Sequence, residues 1–406
     1  MKSPGFSLLT RISGVHLVSH LHLLTLPVML PLLPAQMGVG FVELGLALSV
    51  FNVVSALVQA PLGFAVDRFG ARQMLTAGLL LGSLSFLSLS TIGGYPWLLV
   101  AMGLAGFANG VYHPGDYSLL SSGIEDARMG RAFSVHTFAG YLGAAIAPGM
   151  LLGIAAWAGT RAAFAAAGIA GLLAIALLWM ARPVSQSTDA GQPSKPATSR
   201  GGRAGGGKVF SPAIAMLTLL FTLLSLSGGA LQNFSVSALV AGYDVPLALA
   251  NVALSAFLFA SAFGVLAGGA LADRTRHHGA VAALALATTA LLIALVALFG
   301  SAGPLLVATL GLGGFLFGLI APSRDMLVRA AAPVGAEGRV FGVVSTGFNI
   351  GGAAGPVLFG WLLDNGHPQG IFWSAVLFIL FTVVLALIQD RRGAARAVDP
   401  RPAPAR

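Results

Sequence analysis

The sequence predicts an all-α integral membrane protein of twelve transmembrane helices, arranged as two pseudo-symmetric six-helix bundles. Three observations carry that prediction. Charged residues make up 9% of the 406 and apolar ones 56%, too few charges to cover the surface of a soluble protein of this size, so the chain needs lipid as its solvent. Long apolar runs recur along the chain, and in hydrocarbon such runs are helical because each backbone group must be satisfied within its own segment. The second half also repeats the first. Gly130-Arg131-Ala132-Phe133 returns as Gly338-Arg339-Val340-Phe341, about 208 residues on. Gly143 and Ala147-Pro148 return as Gly351 and Gly355-Pro356, and Gly106-Phe107, Gly110 and Pro114 return as Gly314-Phe315, Gly318 and Pro322.

The first six spans fall near 12–34, 42–65, 73–93, 97–121, 132–157 and 160–181. The first follows Lys2 and Arg11 without a cleavage site and is expected to be a retained helix. The second six fall near 212–239, 246–271, 279–300, 304–322, 340–363 and 369–389. Residues 183–211 are polar and aperiodic, a flexible linker. The expected units are therefore a first bundle over 1–182, the linker over 183–211, a second bundle over 212–390 and a tail over 391–406.

An even number of spans puts both termini on one side. On this map every one of the 22 Lys and Arg residues except Arg161 falls at that same face. Basic loops mark the cytoplasm, so the termini and linker are expected there, with the protein a multi-pass component of a bacterial inner membrane. The net charge of +9 is then a consequence of topology, and a nucleic-acid partner is not expected. With no cysteine, disulfides and thiolate metal sites are excluded. No Walker loop, nucleophile elbow, HExxH motif or catalytic carboxylate pair is present, so neither an enzyme nor an ATP-driven pump is expected. No cofactor and no bound metal are expected either. His16 and His20 have ligand-like spacing and Met29, Met102 and Met150 are available, but methionines in spans are usually packing.

Parallel repeats of a helical membrane unit are the mark of two-bundle secondary transporters. Between the second and third spans lies Gly63-x-x-x-Asp67-Arg68-x-Gly70-x-Arg72, and Gly269-x-x-x-Asp273-Arg274-x-Arg276 occupies the same place in the other half. This pair resembles the signature loop of the major facilitator superfamily. Tyr112-His113-Pro114, Pro322-Ser323-Arg324-Asp325-Met326 and Phe348-Asn349-Ile350-Gly351-Gly352 further resemble its fosmidomycin-resistance group of bacterial transporters. The resemblance implies the major facilitator fold: two bundles rocking about a central site, a monomer sufficient for transport, and a small-molecule substrate. Asp67, Arg68, Arg72, Asp273, Arg274 and Arg324 are the expected gate residues, with Gly63 and Gly269 in the same loops. The glycine- and proline-rich fifth span resembles that of antiporters, which favours efflux. Met102 stands where many proton-coupled exporters carry an arginine, which favours uptake by symport or facilitation.

Polar groups inside spans are costly, so each needs a reason. Asn109, Tyr112, His113 and Asp116 recur at i, i+3, i+4 and i+7, on one helical stripe. His16 and His20 share a face of the first span, with His22 on another. His136 and Tyr141 lie in the fifth span, and Asn52, Ser55 and Gln59 share a stripe of the second. The second half offers Gln232, Asn233, Asn251 and Asn349. Histidine titrates near neutrality, so His113, Asp116, His16, His20 and His136 are the proton-coupling candidates. Asn52, Gln59, Asn109, Tyr112, Tyr141, Gln232, Asn233 and Asn349 are the substrate-cavity candidates. An ion pair between Asp116 and its repeat mate Arg324 is the alternative. The expected function is proton-coupled efflux of a small organic compound; uptake of a metabolite stands second.

Overall fold

The computed structural model describes residues 4–180, 211–272, 274–275, 277–300, 303–332 and 337–398, and every regular element among them is helical. In the first half, α1 (Pro4–Met29) and the short α2 (Leu33–Met37) are followed by α3 (Phe41–Phe69), α4 (Ala71–Thr91), α5 (Tyr95–Gly123), α6 (Asp126–Ala158) and α7 (Thr160–Trp179). The second half comprises α8 (Pro212–Gly229), α9 (Ser235–Tyr243), α10 (Leu247–Ala272), α11 (His278–Phe299), α12 (Pro304–Ala331), α13 (Glu337–Asp364) and α14 (Gln369–Val398). Helix α1 ends where Pro27 and Pro31 cluster, because proline withdraws backbone donors. Gly70 and Gly159 turn the chain with φ of 89° and 85°, a region that side chains disfavour.

Ten stretches are long and apolar enough to cross a membrane, with α8, a π-turn and α9 counting as one. α5 and α13 are not among them, although 29 and 28 residues would be ample. Asn109, His113 and Asp116 dilute the first of these, and Asn349 with a run of glycines dilutes the second. They occupy the fourth and eleventh of the twelve predicted positions, and the polar groups that lower their hydropathy are those argued above to carry function.

The repeat governs packing as well as sequence. In the first half α1 lies along α6, α3 along α5, and α4 along α7; in the second, α8 lies along α13, α10 along α12, and α11 along α14. One glycine serves the first of these pairings in both copies. A Cβ on Gly143 would collide with the Leu17 backbone of α1, and a Cβ on its mate Gly351 would collide with Thr222 and Ser225 of α8. Close backbone approach at small residues is how helices adhere where lipid removes the usual hydrophobic drive.

The two bundles meet along α3–α13 and α6–α10, again a symmetric pair. Gly45 sits against the Pro356–Val357 backbone and Gly360 against that of Phe41–Val42, while Ser49 Oγ donates to the Ala353 carbonyl at 2.6 Å. On the mate seam Asn251 Nδ2 donates to the Pro148 carbonyl at 3.1 Å. These contacts use the first half of α3 and the second half of α13. At the far end of α3, Asp67 and Arg68 are exposed. The close contacts of the α3–α13 seam thus lie toward the face away from the basic loops.

Most of the segment expected to be a linker, 183–210, lies outside the described residues; Ser211 caps α8 by accepting from the Ile214 amide. Helix α14 continues to Val398, into the expected tail, and 399–406 lie outside the described residues.

Candidate functional site

Asp116 organises the site. It lies on α5 about six turns from the start of that helix, level with residues about three turns into α1 and α6, and it is completely buried. His16 of α1 places Nδ1 3.1 Å from Asp116 Oδ2, and His136 of α6 places Nε2 3.5 Å from the same oxygen. The first distance is a hydrogen bond; the second is an ion-pair distance, and neither His136 nitrogen nor Asp116 Oδ1 has a hydrogen-bond partner. The two imidazoles stack with centroids 3.8 Å apart and planes 23° apart. His20 stands edge-on to His16 at 4.6 Å, and His113 edge-on at 5.7 Å. Tyr117, on α5, faces His113 and His136 at 6.0 and 6.2 Å. Three helices thus deliver four imidazoles and a phenol around one buried carboxylate.

Gly140 makes the assembly possible. A Cβ there would lie 2.7 Å from His16 Nε2 and 2.9 Å from His20 Nε2, so only glycine lets α6 close over the two rings. Burying a charge costs several kcal/mol unless it is paired, and the only ion-pair partners of Asp116 among the described residues are the two imidazoles. A proton shared between carboxylate and ring resolves that cost. His16, Asp116 and His136 also bring ligand atoms within 4.8 Å of one another, the raw material of a metal site.

The other candidates divide by position. His113 and Tyr117 are exposed at the gap between the bundles, as is Asn349 of α13, and Tyr141 and Gln59 are half-buried. Asn109 donates to Ser55 Oγ at 2.8 Å, tying α5 to α3. Asn52 lies against Gly352 across the inter-bundle seam. Tyr112 turns the other way: it is buried in the first bundle among Leu75, Leu79 and Ala174, its hydroxyl unpartnered. His22 shares that interior, with Nε2 donating to the Ala167 carbonyl at 2.9 Å. Gln232 and Asn233 fall in a π-turn, Ala230–Phe234, joining α8 to α9. Such a turn frees backbone carbonyls and often marks function.

The expected gate residues are likewise dispersed. Arg324 binds its neighbour Asp325, with Nε and an Nη donating at 2.9 and 2.8 Å, and its guanidinium lies over Phe221 and Phe348. The ion pair with Asp116 is therefore not formed; histidines hold that carboxylate instead. Arg72 donates to the Leu178 carbonyl at 2.8 Å and stacks on Trp179 at 4.1 Å, binding α4 to α7 within one bundle. Gly63 approaches Pro114. Gly269 has open space where a Cβ would lie, and Arg274 is exposed. Asp273 lies outside the described residues.

The sequence grouped His113, His16, His20 and His136 with Asp116 as proton-coupling candidates; the structure sets His16 and His136 against the carboxylate. The signal for the true partners was the Gly140–Gly143 spacing, which marks α6 as the helix pressed against α1.

Comparison with known proteins agrees with this architecture. The Major Facilitator Superfamily pattern matches residues 12–250 and again residues 218–406, so the chain belongs to that superfamily, whose members are transporters and not enzymes. It is 24% identical to the fosmidomycin resistance protein of Escherichia coli over 272 residues, 66% of each chain. It is 26% identical over 403 residues to the MFS-type transporter YfnC of Bacillus subtilis, covering 97% of this chain and 96% of that one. The crystal structure of a bacterial homologue of the human lysosomal transporter Spinster, inward-facing and occupied, superposes with a TM-score of 0.76 at 14% identity over the full length of both chains.

Proposed function

We propose that this member of the Major Facilitator Superfamily is a proton-coupled exporter of a small organic compound, working as a monomer by alternating access. The basic face and both termini lie in the cytoplasm of a bacterium, and the protein sits in the inner membrane. The observation that carries this reading is the carboxylate at Asp116, wholly buried and, among the described residues, ion-paired only with histidines. A buried group of this kind needs a proton or a partner, and membrane carboxylate–histidine chains are typical proton relays. His113 and Tyr117 form the route from the gap. His16 and His136 hold the proton on Asp116, and His20 stands next in line toward the interior of α1. Asn349, Tyr141 and Gln59 border the gap where a substrate would rest.

The similarity to the fosmidomycin resistance protein supports export and places fosmidomycin first among compounds to try. Met102, buried in α5 where exporters of the superfamily often carry arginine, favours the second reading, proton-linked or passive uptake of a metabolite. Everted membrane vesicles separate the two. With a pH dye inside, an exporter releases protons from the vesicle lumen when its compound is added, and His16→Gln abolishes that release while the protein remains folded. Unchanged release in His16→Gln removes the cluster from the mechanism. No release with any compound, together with uptake into intact cells, establishes the second reading.

A further inference from the structure

The seam between the bundles ends in a contact that packing alone does not require. Asp364 is the last residue of α13, and its carboxylate reaches the first turn of α3 in the other bundle. Phe41 N–H donates to Oδ1 at 2.7 Å and Val42 N–H donates to Oδ2 at 2.8 Å. Glu43, from α3 itself, accepts from Gly40 N–H at 3.0 Å. Three of the four amides left free at the start of α3 are thus satisfied, two of them by a residue more than 320 positions away. The positive end of the helix dipole adds to the attraction. Room for the carboxylate depends on glycine: a Cβ on Gly40 would lie 2.6 Å from Asp364 Oδ2.

The repeat supplies an internal control. The mate of Phe41, by the same offset that relates Gly63 to Gly269, is Leu247, the first residue of α10, and the mate of Asp364 is Ala156 near the end of α6. The second seam therefore closes at the same face without a carboxylate, through the Asn251–Pro148 hydrogen bond. The scaffold does not demand an acid there; one seam has acquired it.

We propose that Asp364 is a releasable latch, holding the α3–α13 seam shut at the face away from the basic loops until the transporter opens there. Opening that face must part α3 from α13 and break both charge-assisted bonds, so the latch sets the population of the state open at that end. The inference rests on the alternating-access reading above, but its test needs neither a substrate nor proton movement.

The chain has no cysteine, so Ser49→Cys, buried in mid-seam and bonded to the Ala353 carbonyl, gives a single reporter thiol. Its alkylation by a maleimide is timed on the full-length protein in lipid nanodiscs. Adding Asp364→Asn is expected to speed labelling about tenfold, the effect of losing one or two charge-assisted bonds on a two-state equilibrium. Asp364→Glu, which keeps the carboxylate, is expected to stay within about threefold of the parent. Gly40→Ala, which displaces the carboxylate without removing it, is expected to speed labelling as Asn does, and it decides the matter if Asp364→Asn fails to fold. Labelling in Asn within about twofold of the parent, or equal acceleration by Glu and Asn, overturns the latch. Loss of proton coupling in the vesicle assay with the labelling pattern intact overturns the transport mechanism and leaves the latch standing.

Discussion

Asp116→Asn tests the proposed mechanism most directly. At the 3.1 and 3.5 Å separations to His16 and His136, a charged pair at an effective dielectric of about 20 attracts by about 5 kcal/mol. Removing each ion from water costs several kcal/mol. The two terms nearly balance, so the proton's residence responds to small changes in hydration as the gap opens and closes. Asn keeps the shape and can still accept from His16 Nδ1, so the fold should lose no more than about 1–2 kcal/mol. It cannot take up a proton, and compound-driven proton movement in everted vesicles should fall about 100-fold or more, equivalent to about 2.7 kcal/mol. A cycle with His16→Gln sharpens the test. If carboxylate and imidazole act as one unit, the double variant loses no more than the worse single variant, within about 0.5 kcal/mol. Additive losses, or an Asp116→Asn protein that keeps half its coupled transport, would refute the reasoning.

Gly143→Ala should destabilise the protein by about 1–3 kcal/mol, since the added carbon meets the Leu17 backbone of α1 and not a flexible side-chain end; a melting curve in detergent within error of the parent's would contradict the packing. Arg72→Lys should cost about 1–2 kcal/mol through the lost carbonyl bond and the lost guanidinium stack on Trp179. Its Trp179 emission should change while Ser49→Cys labelling stays constant, because Arg72 ties helices of a single bundle; altered labelling would restore it as a gate. Asn109→Ala should cost about 1 kcal/mol for the bond to Ser55 and leave proton coupling measurable, so complete loss of coupling would place Asn109 in the relay.

The helices and their duplication were legible because hydrocarbon leaves the backbone one option and because the repeat is written in glycines. A position such as Gly143 matters twice, and both copies keep it. The site was legible only in part. Asn109, Tyr112, His113 and Asp116 share a stripe, but adjacent residues of a helix point about 100° apart, so Tyr112 and His113 mark opposite edges of it. One edge is buried in the first bundle beside His22 and the other is exposed at the gap. A stripe drawn from one helix cannot assign its two edges, because which edge is buried depends on the neighbouring helices.

Which of the candidate histidines touches Asp116 was not legible for the same reason. His113, one turn away on α5, is the local choice, yet residues on one helix hold their side chains nearly parallel and leave a buried acid open on its other flank. His16 and His136 come from helices that arrive from across the bundle, and nothing in the local sequence of α5 encodes their distance. The encoding lies on α6, where Gly140 removes the one carbon that would hold the rings of α1 away. Gly140 is therefore the residue that sets the placement of these rings. Gly140→Ala should push His16 and His20 from their places and weaken proton coupling more than it weakens the fold, whereas Gly143→Ala, one turn on against backbone, should do the reverse.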